Sequence, residues 1–224
     1  MRVGVALRLL FGSLVTTAFF ASIALAADAG SEVSLPVHRW RVIERESGPV
    51  NYYTVLTKAS PPHIRAHYRP PLETTVLGFP LVESDRKRAT KLRWRWRAIK
   101  LPAGANECSS GKGDSAAVIY VTWRRTLRWY TLKYVWSASA KPGTVCARKR
   151  TPFVAQDVIV LRSGGPLDTW QTESVDLRAA FRKHFADGDP EADIPEMIGV
   201  ALMTDGDQTR SESVADYADF VLTR

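Results

Sequence analysis

Residues 92–98 read Leu92-Arg93-Trp94-Arg95-Trp96-Arg97-Ala98. Successive side chains of an extended chain point to opposite faces, so Leu92, Trp94, Trp96 and Ala98 share one face and the three arginines the other. At the 100° step of a helix the arginines would scatter among the indoles. The pattern therefore predicts a strand with its indole face in a core and its guanidinium face in water.

Working outward, residues 116–123 (Ala-Ala-Val-Ile-Tyr-Val-Thr-Trp) are apolar on both faces and suit a central, doubly covered strand. Residues 129–136 put Tyr130, Leu132, Tyr134 and Trp136 on one side, and the stretch 124–128 between these runs predicts a hairpin. Further strands are expected at 40–45, 52–57, 64–68, 74–79, 157–162, 198–204 and 217–222. Turn residues bound them, among them Ser47-Gly48-Pro49, Pro70-Pro71, Gly164-Gly165-Pro166 and Asp205-Gly206-Asp207. One short amphipathic helix is expected near 175–186. Leu177, Phe181 and Phe185 fall four apart there, Ser174 can cap the start, Gly188 follows the last turn, and Arg178, Arg182 and Lys183 form a solvated face. About ten short strands with one helix predict a mainly β fold, an antiparallel β-sandwich with jelly-roll connections.

The chain has 224 residues, a formal net charge of +8, 45% hydrophobic and 24% charged residues, which fits a folded domain and excludes a disordered one. Arg2 and Arg8 precede a charge-free run over 9–25 that ends in Ala24-Leu25-Ala26. Residues 1–26 therefore read as a signal peptide and residues 27–224 as a single β-sandwich domain, periplasmic or secreted. No later segment approaches 18 uncharged apolar residues, so no transmembrane helix is expected after cleavage. In an oxidising compartment the two cysteines, Cys108 and Cys146, are expected to form a disulfide.

Several groups of residues carry candidate chemistry. Arg86 to Lys100 contains eight basic residues and no acid, and Arg148-Lys149-Arg150 adds to it, a pattern that attracts polyanions. Export makes nucleic acid an improbable target and points to a glycan or another envelope polyanion, met by Arg93, Arg95 and Arg97. Trp170, after a Gly-Gly-Pro turn and close to Glu173, suits a binding rim where an indole stacks on a sugar and a carboxylate bonds its hydroxyls. Asp114 joins Glu173 as a ligand-binding carboxylate. The loop Asp205-Gly-Asp207-Gln-Thr209 alternates oxygen side chains and would suit calcium through Asp205, Asp207 and Thr209, although Arg210 stands where an EF-hand needs glycine. No other cofactor is expected. The sequence holds neither G-x-S-x-G nor H-E-x-x-H. His63 and His67, four apart on an expected strand, lie about 13 Å apart and read as surface residues rather than ligands of one ion.

Five blocks in order resemble the bacterial exported proteins grouped as domain of unknown function 3047. They are Trp94-Arg-Trp-Arg-Ala-Ile-Lys-Leu-Pro, Gly113-Asp-Ser-Ala-Ala-Val-Ile-Tyr-Val, Leu132-Lys-Tyr-Val-Trp-Ser, Trp170 with Glu173, and Gly199-Val-Ala-Leu-Met-Thr-Asp-Gly-Asp-Gln-Thr. The resemblance spans about residues 40–222. It implies a β-sandwich with a galactose-binding or concanavalin-like look, and places Asp114, Trp136, Trp170, Glu173, Asp205 and Asp207 on the family's motifs. It implies no reaction.

Together these readings lead to a non-catalytic carbohydrate-binding module of the cell envelope. Two alternatives stand beside it. One is a carbohydrate-active hydrolase or lyase pairing Glu173 with Asp114 or Asp205, since such chemistry needs two carboxyls about 5–9.5 Å apart. The other is a structural envelope protein that binds another protein through exposed tryptophans.

Overall fold

The computed structural model describes residues 30–42 and 52–224. The signal-peptide reading of 1–26, the 43–45 part of the first expected strand and the Ser47-Gly48-Pro49 turn lie outside them. In chain order the strands are β1 (Glu32–Ser34), β2 (Arg41–Val42), β3 (Tyr53–Leu56), β4 (His63–Tyr68), β5 (Leu77–Pro80), β6 (Lys91–Lys100), β7 (Ala117–Arg125), β8 (Arg128–Ser137), β9 (Val145–Arg150), β10 (Val154–Ser163), β11 (Gln171–Asp176), β12 (Glu196–Met203) and β13 (Ser213–Thr223). Helix α1 (Glu83–Arg86) precedes β6, and α2 (Leu177–Phe185) follows β11.

The strands form two packed sheets, and the fold is a mainly β sandwich of the jelly-roll type. A six-stranded sheet runs β11-β6-β13-β4-β3, with β1 also on β13; a seven-stranded sheet runs β2-β5-β12-β7-β8-β10-β9. Leu92, Trp94, Trp96 and Ala98 of β6 are completely buried between the sheets, facing Leu132, Tyr134 and Trp136 of β8. The indoles meet edge to face, Trp94 on Trp96 at 5.5 Å and Trp96 on Trp136 at 5.9 Å between ring centres, an arrangement that suits their quadrupoles. Arg93, Arg95 and Arg97 emerge on the opposite face. Thr126 and Leu127 turn the hairpin between β7 and β8, whose last pair is Arg125 with Arg128.

The structure departs from the expected antiparallel pattern at one place: β8 and β10 run parallel. The chain between them turns back as β9, which pairs antiparallel with the far side of β10, so β10 enters beside β8 in the same direction as β8. Cys146 on β9 is bonded to Cys108 in the loop before β7. This link closes a span of 38 residues and, in the chain-entropy account, stabilises the fold by about 4 kcal/mol.

The helix cap also differs. Ser174 lies inside β11, paired with Arg93, and the residue that caps α2 is Asp176, whose Oδ1 accepts the Ala179 N–H at 2.8 Å. At the other end Gly188, at φ +81°, donates its N–H to the Arg182 carbonyl at 2.9 Å. Phe181 and Phe185 pack edge-on against Trp123 and Tyr130 and close one end of the sandwich. Trp40, expected to begin a strand, precedes one and instead drops its ring into the core against Phe79 and Phe220.

Candidate functional site

The acidic loop between β12 and β13 folds back on the segment that leads into β7. Gly206 is required there, because a Cβ would stand 2.0 Å from the Ser211 carbonyl oxygen. The fold brings Asp114 to Asp205 and Asp207, with one carboxylate oxygen of each within 4.8 Å of the others. Asp114 is fully buried and accepts the N–H groups of Gln208 (3.2 Å) and Thr209 (2.7 Å) and the Thr209 hydroxyl (2.6 Å). Asp205 accepts the Ser115 N–H at 2.6 Å. Burial raises the Asp205 carboxyl well above the carboxylate range, and Asp114 and Asp207 push it further. Asp207 is raised by burial and then by Asp114. A proton or a hard cation would relieve this repulsion, and Asp114, Asp205 and Asp207 are the side chains able to hold one. Thr209, expected as a ligand, instead spends its hydroxyl on Asp114 and Ser211. Glu107, which no sequence pattern marked, is buried beside this cluster with its carboxylate bonded to the Ser115 and Ser137 hydroxyls. Burial raises its carboxyl despite those donors.

The arginine face of β6 is not an open basic patch. Arg97 meets Asp216 at 2.8 Å and Asp168 at 3.0 Å, Arg95 meets Asp219 at 3.0 Å, and Arg93 approaches Glu32 at 3.5 Å. Asp216, whose side chain is wholly buried, also accepts both Nε and Nη2 of Arg65 at 2.8 Å. The acids that neutralise this face come from β1, β13 and the 163–170 loop, far from the arginines in sequence. Trp170 lies over the same face, 5.3 Å from the Arg95 guanidinium carbon and 4.8 Å from that of Arg97. Its ring also covers His63, which is buried rather than a surface residue. His67 is half-buried and bonded to Glu212.

Glu173 sits on the other side of the sheet. It accepts the Trp96 indole N–H at 3.2 Å and pairs with Arg162 of β10, joining the edge strand β11 to the other sheet. Trp170 and Glu173 are therefore not a rim pair. They are three residues apart on extended chain, which puts their side chains on opposite faces.

The open surface lies elsewhere, on the outer face of the seven-stranded sheet. Here Gly78, Thr122, Gly199 and Ala201 floor a groove of about 370 Å³, with Trp129 at its rim. Gly199 lets β12 approach β5 closely: a Cβ would stand 2.7 Å from the Phe79 carbonyl oxygen. Trp129 is 38% exposed, whereas Trp94, Trp96, Trp123 and Trp136 are buried. The backbone N–H of Trp129 donates to the carbonyl of Phe153, itself exposed, at 2.8 Å. On the same face Lys133 lies 5.0 Å from the ring centre of Tyr120. Burial lowers the Lys133 ammonium below the usual lysine range, and Asp205 partly offsets this. Strand parity carried the signal for Trp129 and Lys133: both are odd-numbered, and the core face of β8 is even-numbered.

This geometry defines a class, the two-sheet β-sandwiches with an open groove across one outer face. Within it the chain belongs to the family described as protein of unknown function (DUF3047), whose sequence profile matches residues 39–221. No curated protein matches the chain. Among solved structures it is similar to the xyloglucanase domain of NopAA, a type three effector from Sinorhizobium fredii in complex with cellobiose. The identity is 10% and the TM-score 0.48, over 88% of this chain and 100% of that one. It is also similar to a family 12 xyloglucanase from Bacillus licheniformis in complex with ligand (10% identity, TM-score 0.36, 86% and 99% covered). A third is Trichoderma harzianum endoglucanase 3 from family GH12 (9% identity, TM-score 0.36, 89% and 99% covered).

Proposed function

We propose that the protein is a periplasmic or secreted carbohydrate-binding module that holds a cell-envelope glycan, without catalysis, in the groove on the outer face of its seven-stranded sheet. The observation that carries this reading is Trp129. A half-exposed indole stands beside a floor of glycine, alanine and threonine, where a sugar ring can lie flat, stack its C–H face on the indole and reach Thr122 with a hydroxyl. Support for export comes from the Cys108–Cys146 disulfide and the N-terminal sequence pattern. Among the described residues no helix is long and apolar enough to cross a membrane. Support for binding without catalysis comes from the carboxylates themselves. Glu173 is engaged by Arg162 and Trp96, and Asp114 by the 208–209 backbone.

The test is a glycan array followed by calorimetric titration of the oligosaccharide it selects. Trp129→Ala is expected to weaken binding about tenfold or more, in line with the worth of one aromatic stack, and Trp170→Ala to leave it unchanged. An array with no hit, or loss of binding in Trp170→Ala alone, would overturn the reading.

A further inference from the structure

Beside the groove, at the end of the sandwich closed by α2, lies a second cavity of about 860 Å³. Six cations line it: Arg86 and Lys87 at the end of α1, Arg124 and Arg125 of β7, and Arg178 and Arg182 of α2. Two acids share the lining, and both are engaged, Asp193 by Arg125 at 2.9 Å and Glu196 by Lys87 at 3.3 Å. The four remaining arginines have no carboxylate partner among the described residues. Arg86 donates to the Leu81 carbonyl, Arg124 to that of Thr126, and Arg178 to that of Lys87. These bonds orient the guanidinium groups and leave their charges uncompensated. Arg182 keeps a buried Nε with no hydrogen-bond partner. Arg178, exposed as expected of a solvated helix face, and the half-buried Arg182 form one wall of this cavity. The arrangement is the reverse of the β6 face, where each arginine has its acid.

We propose that this cavity binds a ligand carrying two or more oxyanion groups, phosphate or carboxylate. Planar guanidinium forks pair with such groups bidentately. Arginines gathered around one cavity without carboxylate partners among the described residues gain from such groups what the folded chain does not supply. The volume is that of a small-molecule site and exceeds what a single inorganic anion fills. The cavity also continues into the groove: Ile198 lines both, and the Arg124 guanidinium carbon lies 4.9 Å from the Trp129 ring centre. An acidic oligosaccharide could thus lay its sugar rings along Trp129 and its charges among the arginines. That extension rests on the groove reading, whereas the oxyanion site does not.

The experiment is calorimetric titration of the full folded domain with tripolyphosphate, with an oligogalacturonate and with a neutral oligosaccharide of equal length, at low and moderate salt. The proteins are the wild type, Arg124→Ala/Arg178→Ala, Arg182→Lys, and Arg93→Ala/Arg95→Ala as a control from the ion-paired face. At least one anion is expected to bind, about tenfold more weakly once salt screens the site. The double variant should weaken it by a similar factor, and the control should not. Arg182→Lys keeps the charge, removes the fork and is expected to weaken binding without changing the melting temperature. Which anion binds distinguishes phosphate from carboxylate. Neither anion binding, or equal loss in the control, would overturn the proposal. Retention of the neutral oligosaccharide would show that the groove reading survives it, and loss of the neutral ligand alone would show the converse.

Discussion

Asp216 occupies the middle of β13 with no exposed side-chain surface, and three basic side chains converge on it. Arg65 and Arg97 each reach it at 2.8 Å, and the Nε2 of His63 lies 3.4 Å away. Burial alone would raise its carboxyl; the two guanidinium groups outweigh burial and hold it below the usual aspartate range. Its folded value is thus depressed relative to an unfolded value of about 3.9. The stability it contributes is present above that value and is lost as pH falls through the folded one. Replacing it by Asn should cost about 1.5–3 kcal/mol at pH 7, the worth of hydrogen bonds to charged groups. Denaturant melts at pH 7 and pH 3 check this: the deficit against wild type should shrink at the lower pH, and an equal deficit at both would contradict the assignment. Neither arginine's partner is visible in the sequence around β6, since Asp216 lies over a hundred residues on. The arginine face was legible as a face, and its neutralisation was not.

Two elements show where periodicity speaks and where it is silent. β6 alternates indole with guanidinium, so both its existence and its inward face could be read directly. β11 reads Gln-Thr-Glu-Ser-Val-Asp, with Val175 its only apolar residue, because it is an edge strand with limited core contact. Without a strand there, nothing set the parity that separates Trp170 from Glu173 or moved the helix cap from Ser174 to Asp176. β9 is equally quiet: its Arg148-Lys149-Arg150 run is the charged decoration of a sheet edge, which discourages edge-to-edge association. The cap has a direct consequence. Asp176→Ala removes the acceptor of the Ala179 N–H and should lower stability by about 1 kcal/mol. Ser174→Ala, a solvent-facing strand position, should change it by less than about 0.5 kcal/mol. Thermal melts of the two variants compare them, and a larger loss for Ser174→Ala would restore the earlier cap.

At the scale of the molecule the two faces divide the work. The outer face of the six-stranded sheet is closed by ion pairs and by Trp170. That of the seven-stranded sheet is left open by Gly78, Gly199 and Ala201, and it adjoins the end where four arginines have no carboxylate partner among the described residues. The sandwich could be read from residue patterns because alternation is local. The groove and cavity could not, because each is assembled from strands and a helix far apart in sequence. Hydrogen–deuterium exchange, with and without the glycan selected on the array, tests this division most directly. The account predicts slowed exchange at 122–129, 178–182 and 196–201, with 65–69 and 93–97 unchanged; slowing confined to 65–69, 93–97 and the residues around Trp170 would contradict it.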